Sequence, residues 1–227
     1  MGATTCWKDA APSSVKVSSS MVMGQPNEAH PQQPGPGTVL PRFRSAQRPR
    51  EDPLLTGLTV WLTGLPSSGK STLAAALAAE LEQSSTPYEI LDGDAMRAEL
   101  SPELGFTRED RIANVRRIGL VARLLAQHGV VAIVPVIAPY ASSRAAVRDA
   151  HEAQGLQFIE VHVATSLRVC QSRDVKGLYA KAANGEIEHL TGVDDPYEAP
   201  TTPDLALDTA QLDVRVCVAQ ILDLLRA

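Results

Sequence analysis

Lys70 and Ser71 close the run Gly64-Leu65-Pro66-Ser67-Ser68-Gly69-Lys70-Ser71. Two glycines enclosing four residues, then Lys and Ser, form the pattern of a loop that wraps phosphate. The glycines let the backbone turn tightly and bring its amides close to phosphate oxygens. A helix beginning there adds unpaired N–H groups and the positive end of its dipole. Lys70 would reach the outer phosphates of a nucleotide, and the Ser71 hydroxyl would hold magnesium. A second group is Leu91-Asp92-Gly93-Asp94-Ala95-Met96-Arg97. Its two carboxylates and arginine could serve magnesium, an acceptor hydroxyl and an anion, although a capped turn would use the same residues. A third is Gly105 to Arg117, where Phe106 could stack on a base. Arg111 and Asn114, three apart, share a helix face there. Taken alone, this stretch reads equally as a core Phe and a solvated, charged helix. A fourth is Arg173 to Tyr179, where Lys176 and Arg173 could close over a phosphate-rich substrate and exclude water. An ordinary surface loop is the alternative.

These groups need elements to position them. The apolar Leu58–Thr63 reads as a buried strand entering the loop. Thr72–Leu81, rich in strong helix formers, reads as a helix leaving it. Further strands are expected at Tyr88–Leu91, Val130–Ile137, Phe158–Val163 and Leu205–Asp208. Val130–Ile137 is apolar throughout and therefore expected to be central. Helices are expected over about 107–128, 142–153 and from about 213 onward. Thr107 and Asp110 resemble a capping pair. Val214, Cys217, Val218, Ile221, Leu222 and Leu225 fall on one face of the last helix. Strand–helix alternation predicts an α/β fold, a phosphate-loop NTPase-type parallel sheet with helices on both faces. Asp92 and Asp94 then lie with the loop at the carboxyl edge of the sheet, where ligands bind in such folds. Arg173 to Pro200 shows no apolar period and is expected to be a structureless lid.

Residues 1–53 are rich in Pro, Ser, Gln and Gly and are expected to be a disordered tail. Residues 54–227 are expected to be the catalytic domain. The net charge of −5 does not suggest a nucleic-acid binder. No apolar run approaches the roughly 18 residues of a membrane span, and the N-terminus lacks the apolar core of a secretory signal. Cys6, Cys170 and Cys217 show neither metal spacing nor a disulfide framework. A reducing, cytoplasmic setting is the expectation.

The combination resembles the adenylyl-sulfate kinase (APS kinase) family. The resemblance rests on the phosphate loop, Leu91-Asp-Gly-Asp94, Leu104-Gly-Phe-Thr-Arg-Glu-Asp-Arg111 with Asn114, and Ile137-Ala-Pro-Tyr140. It also rests on Asp174-Val-Lys-Gly-Leu-Tyr179 and Asp194-Asp-Pro-Tyr-Glu-Ala-Pro200. It implies a kinase that moves the γ-phosphoryl group of ATP, with Mg2+, to the ribose 3′-hydroxyl of adenosine 5′-phosphosulfate. The product would be 3′-phosphoadenosine 5′-phosphosulfate. The resemblance gives Gly64 to Ser71 to ATP, and Asp94 to orienting or deprotonating the hydroxyl, with Asp92 and Lys70 as further catalytic groups. Arg97, Phe106, Arg111, Asn114, Ile137, Lys176 and Leu190 would hold the acceptor, with Phe106 on its adenine. A homodimer is the expected assembly.

Three positions depart from the family. Ala95 stands where the family has Asn. Ala138 stands where it has Ser, a residue described in some members as phosphorylated. His189-Leu190 stand where Gly-Phe is usual, so one side of an adenine sandwich would be aliphatic. A lost base–aromatic stack costs roughly 1–3 kcal/mol, and Leu keeps part of the contact. All three lie on the acceptor side. They keep open a same-fold kinase for another small hydroxylated acceptor, and a non-catalytic nucleotide-binding regulatory partner. Retention of Lys70, Ser71, Asp92, Asp94 and Arg97 together speaks against the second.

Overall fold

The computed structural model describes residues 57–226. The expected tail over 1–53 lies outside them, as does the start of the domain at 54–56. Five parallel strands form one sheet: β1 (Leu58–Thr63), β2 (Tyr88–Ile90), β3 (Val131–Pro135), β4 (Gln157–Val163) and β5 (Leu205–Leu207). Their order is β2-β3-β1-β4-β5. The middle of the sheet belongs to β1, with β3 beside it; both are buried at every position. This explains their nearly unbroken apolar sequences, since parallel strands are covered on both faces.

Alternation along β1 sends its side chains to two cores. Leu58, Val60 and Leu62 pack with Leu73, Leu77 and Leu81 of α1 (Lys70–Gln83) and Cys217, Val218, Ile221 and Leu225 of α7 (Val214–Arg226). Trp61 faces the other layer, with Val115, Ile118 and Ala122 of α3 (Arg108–Gln127) and Val147 of α4 (Ala141–Glu152). The Thr107 hydroxyl accepts from the Asp110 amide at 3.2 Å and caps α3, as its sequence predicts.

Three short helices escape the sequence reading: α2 (Gly93–Leu100), α5 (Leu167–Arg173) and α6 (Leu178–Ala183). At six to eight residues they are too brief to show a 3.6-residue period, and such short helices owe their stability to tertiary packing. The segment from Arg173 to Pro200 is therefore not structureless. It holds α6, whose Tyr179 packs in a third small core with Cys170 and Leu190, and its Tyr179 hydroxyl donates to the Pro66 carbonyl at 3.1 Å.

Candidate active site

The phosphate loop fills the turn from β1 into α1. Gly64 passes so close to β4 that a Cβ there would lie 2.6 Å from the Val163 carbonyl oxygen. Gly69 precedes α1 at φ 106°, a conformation that favours glycine. The loop is braced from below at one atom. The hydroxyls of Thr165 and Thr209 and the guanidinium of Arg173 converge on the Ser68 carbonyl at 3.1, 2.7 and 3.5 Å. Thr165 and Thr209 follow β4 and β5, so the carboxyl ends of three strands meet at this brace. Thr209 is missed by the sequence reading, because a lone Thr after a short edge strand carries no motif.

Lys70 is 8% exposed. Its ammonium donates to the carbonyls of Gly64 at 2.9 Å and Leu65 at 2.7 Å. Its pKa is lowered from 10.5 to about 8, chiefly by burial and also by the nearby Lys176, against the opposing pull of Cys170, Asp94 and Asp92. The consequence for binding has a definite sign. Phosphate favours charged Lys70, and the free protein loses that charge as pH rises through about 8. Lys176 stays charged across this window, since its hydrogen bond to Asp94 raises its pKa above 10.5. Calorimetric titration with ATP is therefore expected to show affinity about tenfold weaker at pH 9 than at pH 7, with proton uptake on binding. A flat profile would show that Lys70 does not meet the phosphates.

Asp92 caps α2. One of its carboxylate oxygens accepts from the amides of Asp94 at 3.0 Å and Ala95 at 3.3 Å. The capped-turn reading is thus correct for that oxygen and leaves the other one available. Asp94 is exposed in the first turn of α2 and forms an ion pair with Lys176. The pair joins the strand-β2 edge of the site to the segment between α5 and α6. With side chains 76% and 59% exposed, such a pair is worth about 0–1 kcal/mol, so breaking it costs little.

The residues expected to hold the acceptor gather beyond Asp94, apart from Leu190. Arg97 donates to the Gly105 carbonyl at 2.7 Å and lies 4.7 Å from the centre of the Phe106 ring. Phe106 is 55% exposed, which excludes the core-Phe reading, and the Arg111 guanidinium also lies over its ring, at 5.6 Å. Arg111 is buried and largely committed. It donates to the Phe106 carbonyl at 2.9 Å, to the Thr191 hydroxyl at 2.9 Å and to the His189 carbonyl, and it lies 3.4 Å from the Asp195 carboxylate. Asn114 is 7% exposed, and its Oδ1 has no hydrogen-bond partner among the described residues. A buried polar atom without a partner costs free energy, so this one is suited to a ligand donor.

One cavity of about 500 Å³ gathers most of the set. Pro66 to Ser71, Arg173 and Thr209 line it at one end; Asp92, Asp94, Arg97, Phe106, Arg111, Asn114 and Ile137 line it at the other, with Lys176 between. Gly64 and Leu65 contribute their carbonyls to Lys70 and do not line the cavity themselves. Leu190 is also absent from the lining, contrary to expectation. It is 7% exposed and packs beside Cys170 and Tyr179, because Asp194 accepts from its amide at 2.6 Å and the apolar side chain turns into the small core. Ala138 does line the cavity, with a positive φ of 43°.

The donor set suits magnesium brought by a nucleotide. Among the described residues, no group of three or more His, Cys, Asp or Glu side chains could hold a metal alone. The Ser71 hydroxyl and the Asp92 and Asp94 carboxylates offer only oxygen to the same cavity, which is magnesium's preferred chemistry when phosphates and water complete the shell.

A phosphate loop facing carboxylates and arginines across one cavity, on a five-stranded parallel sheet, defines a phosphate-loop kinase of the α/β class. Comparison with known proteins narrows this. The family model for adenylylsulphate kinase matches residues 56–208. The chain is 55% identical over 170 residues to the adenylyl-sulfate kinase of Myxococcus xanthus, covering 75% of this chain and 91% of that one. It is also similar to the Mycobacterium tuberculosis APS kinase CysC solved in complex with AMPPNP and APS. That match has 44% identity and a TM-score of 0.73, and covers 76% of this chain and 99% of that one. A hexameric APS kinase from Thiobacillus denitrificans matches at 40% identity and a TM-score of 0.57, covering 76% of this chain and 29% of that one. The chain belongs to the adenylyl-sulfate kinase family.

Proposed function

We propose that the chain transfers the γ-phosphoryl group of ATP to the ribose 3′-hydroxyl of adenosine 5′-phosphosulfate, giving ADP and 3′-phosphoadenosine 5′-phosphosulfate. The observation that carries this reading is the shared cavity, in which the phosphate loop and the Asp94, Arg97, Phe106 and Asn114 set face the same space. Family membership supports the choice of acceptor.

Each residue has a task under this reading. The loop amides and the start of α1 hold the donor's phosphates. Lys70 leaves its two carbonyl partners for the outer phosphates. Ser71, with Asp92 nearby, would hold Mg2+, which when bound offsets charge on the β- and γ-phosphates. Asp94 orients the 3′-hydroxyl and receives its proton as the new O–P bond forms and the bond to ADP breaks. Phe106 stacks on the acceptor's adenine, Ile137 packs beside it, and Arg97 and Asn114 hold the sugar and phosphosulfate. Arg111 contributes mainly by fixing the Phe106 backbone and residues 189–195. Lys176 releases Asp94 and turns to the substrates' anionic groups. Ala138 has no hydroxyl, so transfer is direct, with no phosphoryl group carried at that position.

The test is ADP release by the purified chain with magnesium-ATP, with and without adenosine 5′-phosphosulfate. Strong stimulation with the 3′-phosphorylated product is expected. No stimulation with ATP binding intact would overturn the acceptor assignment. Among the described residues no helix is long and apolar enough to cross a membrane. A cytoplasmic homodimer is the setting we propose, with residues 1–53 as a tail outside the catalytic domain.

A further inference from the structure

Arg144 lies outside the cavity, yet it ties the cavity wall to the far end of the lid. It sits in the first turns of α4 and is 3% exposed. Its guanidinium makes three hydrogen bonds of 2.7 Å to three different parts of the fold. Nε donates to Glu160 Oε1 on β4, Nη1 to the Ala138 carbonyl just after β3, and Nη2 to the Glu198 carbonyl at the end of the lid. Glu160 is held in turn by Arg148, 3.7 Å from its other oxygen, and its amide donates to Asp204 at 2.7 Å. The fork is thus anchored to the sheet at one prong and reaches two loop segments with the others.

Both segments matter to the acceptor side. Ala138 holds a positive φ of 43°, a conformation an L-residue keeps only when its surroundings impose it. The residues on either side of it, Ile137 and Pro139, line the cavity with it. Glu198 fastens the same loop a second time. Its amide donates to the Pro139 carbonyl at 2.8 Å, and its carboxylate accepts from the Ala141 amide at 2.8 Å. One residue earlier, the Tyr197 hydroxyl meets the Thr63 hydroxyl at 3.1 Å, and Thr63 donates to the Ile137 carbonyl at 2.6 Å. Thr63 immediately precedes the phosphate loop. Loop 137–141 and strap 197–198 are therefore joined by two direct hydrogen bonds and by side-chain relays through Thr63 and Arg144. Arg108 also spans them, lying over the Tyr140 ring and 3.4 Å from the Glu198 carboxylate. Of the two arginines, Arg144 is the one that is buried and also fixed to the sheet, through Glu160.

We propose that Arg144 is a positioning residue that sets the acceptor-side wall at Ile137 to Pro139 and couples it to the end of the lid. This rests on the kinase reading above for its kinetic consequence, but not for its structural one. Arginine is needed because lysine keeps the charge opposite Glu160 and cannot fork to three acceptors.

The test compares full-length Arg144→Lys with the parent chain in two arms. In the kinetic arm, KM for adenosine 5′-phosphosulfate is expected to rise about tenfold or more, as displaced walls misplace a substrate, with the KM for ATP within about twofold. In the second arm, amide hydrogen exchange at 137–141 and 197–199 is expected to speed up together, while α1 and β1 keep their protection. Glu198→Ala, which spares the buried ion pair, is expected to shift both readouts in the same direction by a smaller factor. Unchanged acceptor KM and exchange in an active enzyme would overturn the proposal. So would an equal loss for both substrates with exchange raised throughout the chain, which marks a merely structural role. If the parent chain shows no stimulation by the acceptor, the kinase reading fails instead, and the exchange arm alone decides the coupling.

Discussion

Lys70→Ala is expected to lower ATP-dependent transfer by about 10²–10³-fold or more, the scale of losing one preorganised charge-stabilising donor. The free protein shows why no neighbour replaces it. Lys176, the other cavity lysine, is tied to Asp94 at the opposite wall, and Arg173 is spent on Thr209 and the Ser68 carbonyl. Lys70 is buried against the loop's own carbonyls, so its charge is held at the phosphate site before the nucleotide arrives. That arrangement costs the free protein something, as the pKa near 8 shows. Removing the lysine relieves the cost, so the variant is expected to fold with an unchanged or slightly raised thermal midpoint. Single-turnover ADP formation, read beside that midpoint, separates chemistry from folding. Undiminished turnover would sink the assignment of Gly64 to Ser71 as the ATP loop.

Some of this site is written in short-range spacing and some is not. The phosphate loop, the Asp92–Arg97 stretch and the Thr107 cap each depend on residues within about eight positions, so their chemistry shows in the chain itself. The strand–helix alternation fixes which end of the sheet they share. What depends on tertiary contact is hidden. The brace on Ser68 draws Thr165, Arg173 and Thr209 from 97 to 141 residues away, and no local pattern marks those threonines. Leu190 shows the same limit from the other side. Its position in the chain matches that of a stacking residue, but a pair of hydrogen bonds from the His189 and Leu190 amides to Asp194 turns its side chain into a small core. Arg111 reads as a free cation in the sequence, whereas most of its donors are taken by backbone and hydroxyl groups that meet it only in the fold.

Asp94→Asn is expected to slow transfer by about 10²–10⁴-fold, the usual contribution of a positioned general base, while ATP affinity stays within about twofold. The geometry separates the two effects. Asp94 is exposed in the first turn of α2, and the loop's contacts to Lys70 do not involve it. Asn keeps the side chain's shape and can still accept a hydrogen bond from the acceptor hydroxyl, but it cannot take the proton. It also weakens the hold on Lys176, whose raised pKa owes most to this carboxylate. The lysine is then free earlier, so a lower KM for the acceptor is expected beside the lower kcat. Asp92 is poorly placed to substitute, because one of its oxygens is fixed by the α2 amides. If the variant turns over at the normal rate, Asp94 leaves the mechanism. Transfer would then rest on positioning and charge alone, which loose phosphoryl-transfer transition states permit.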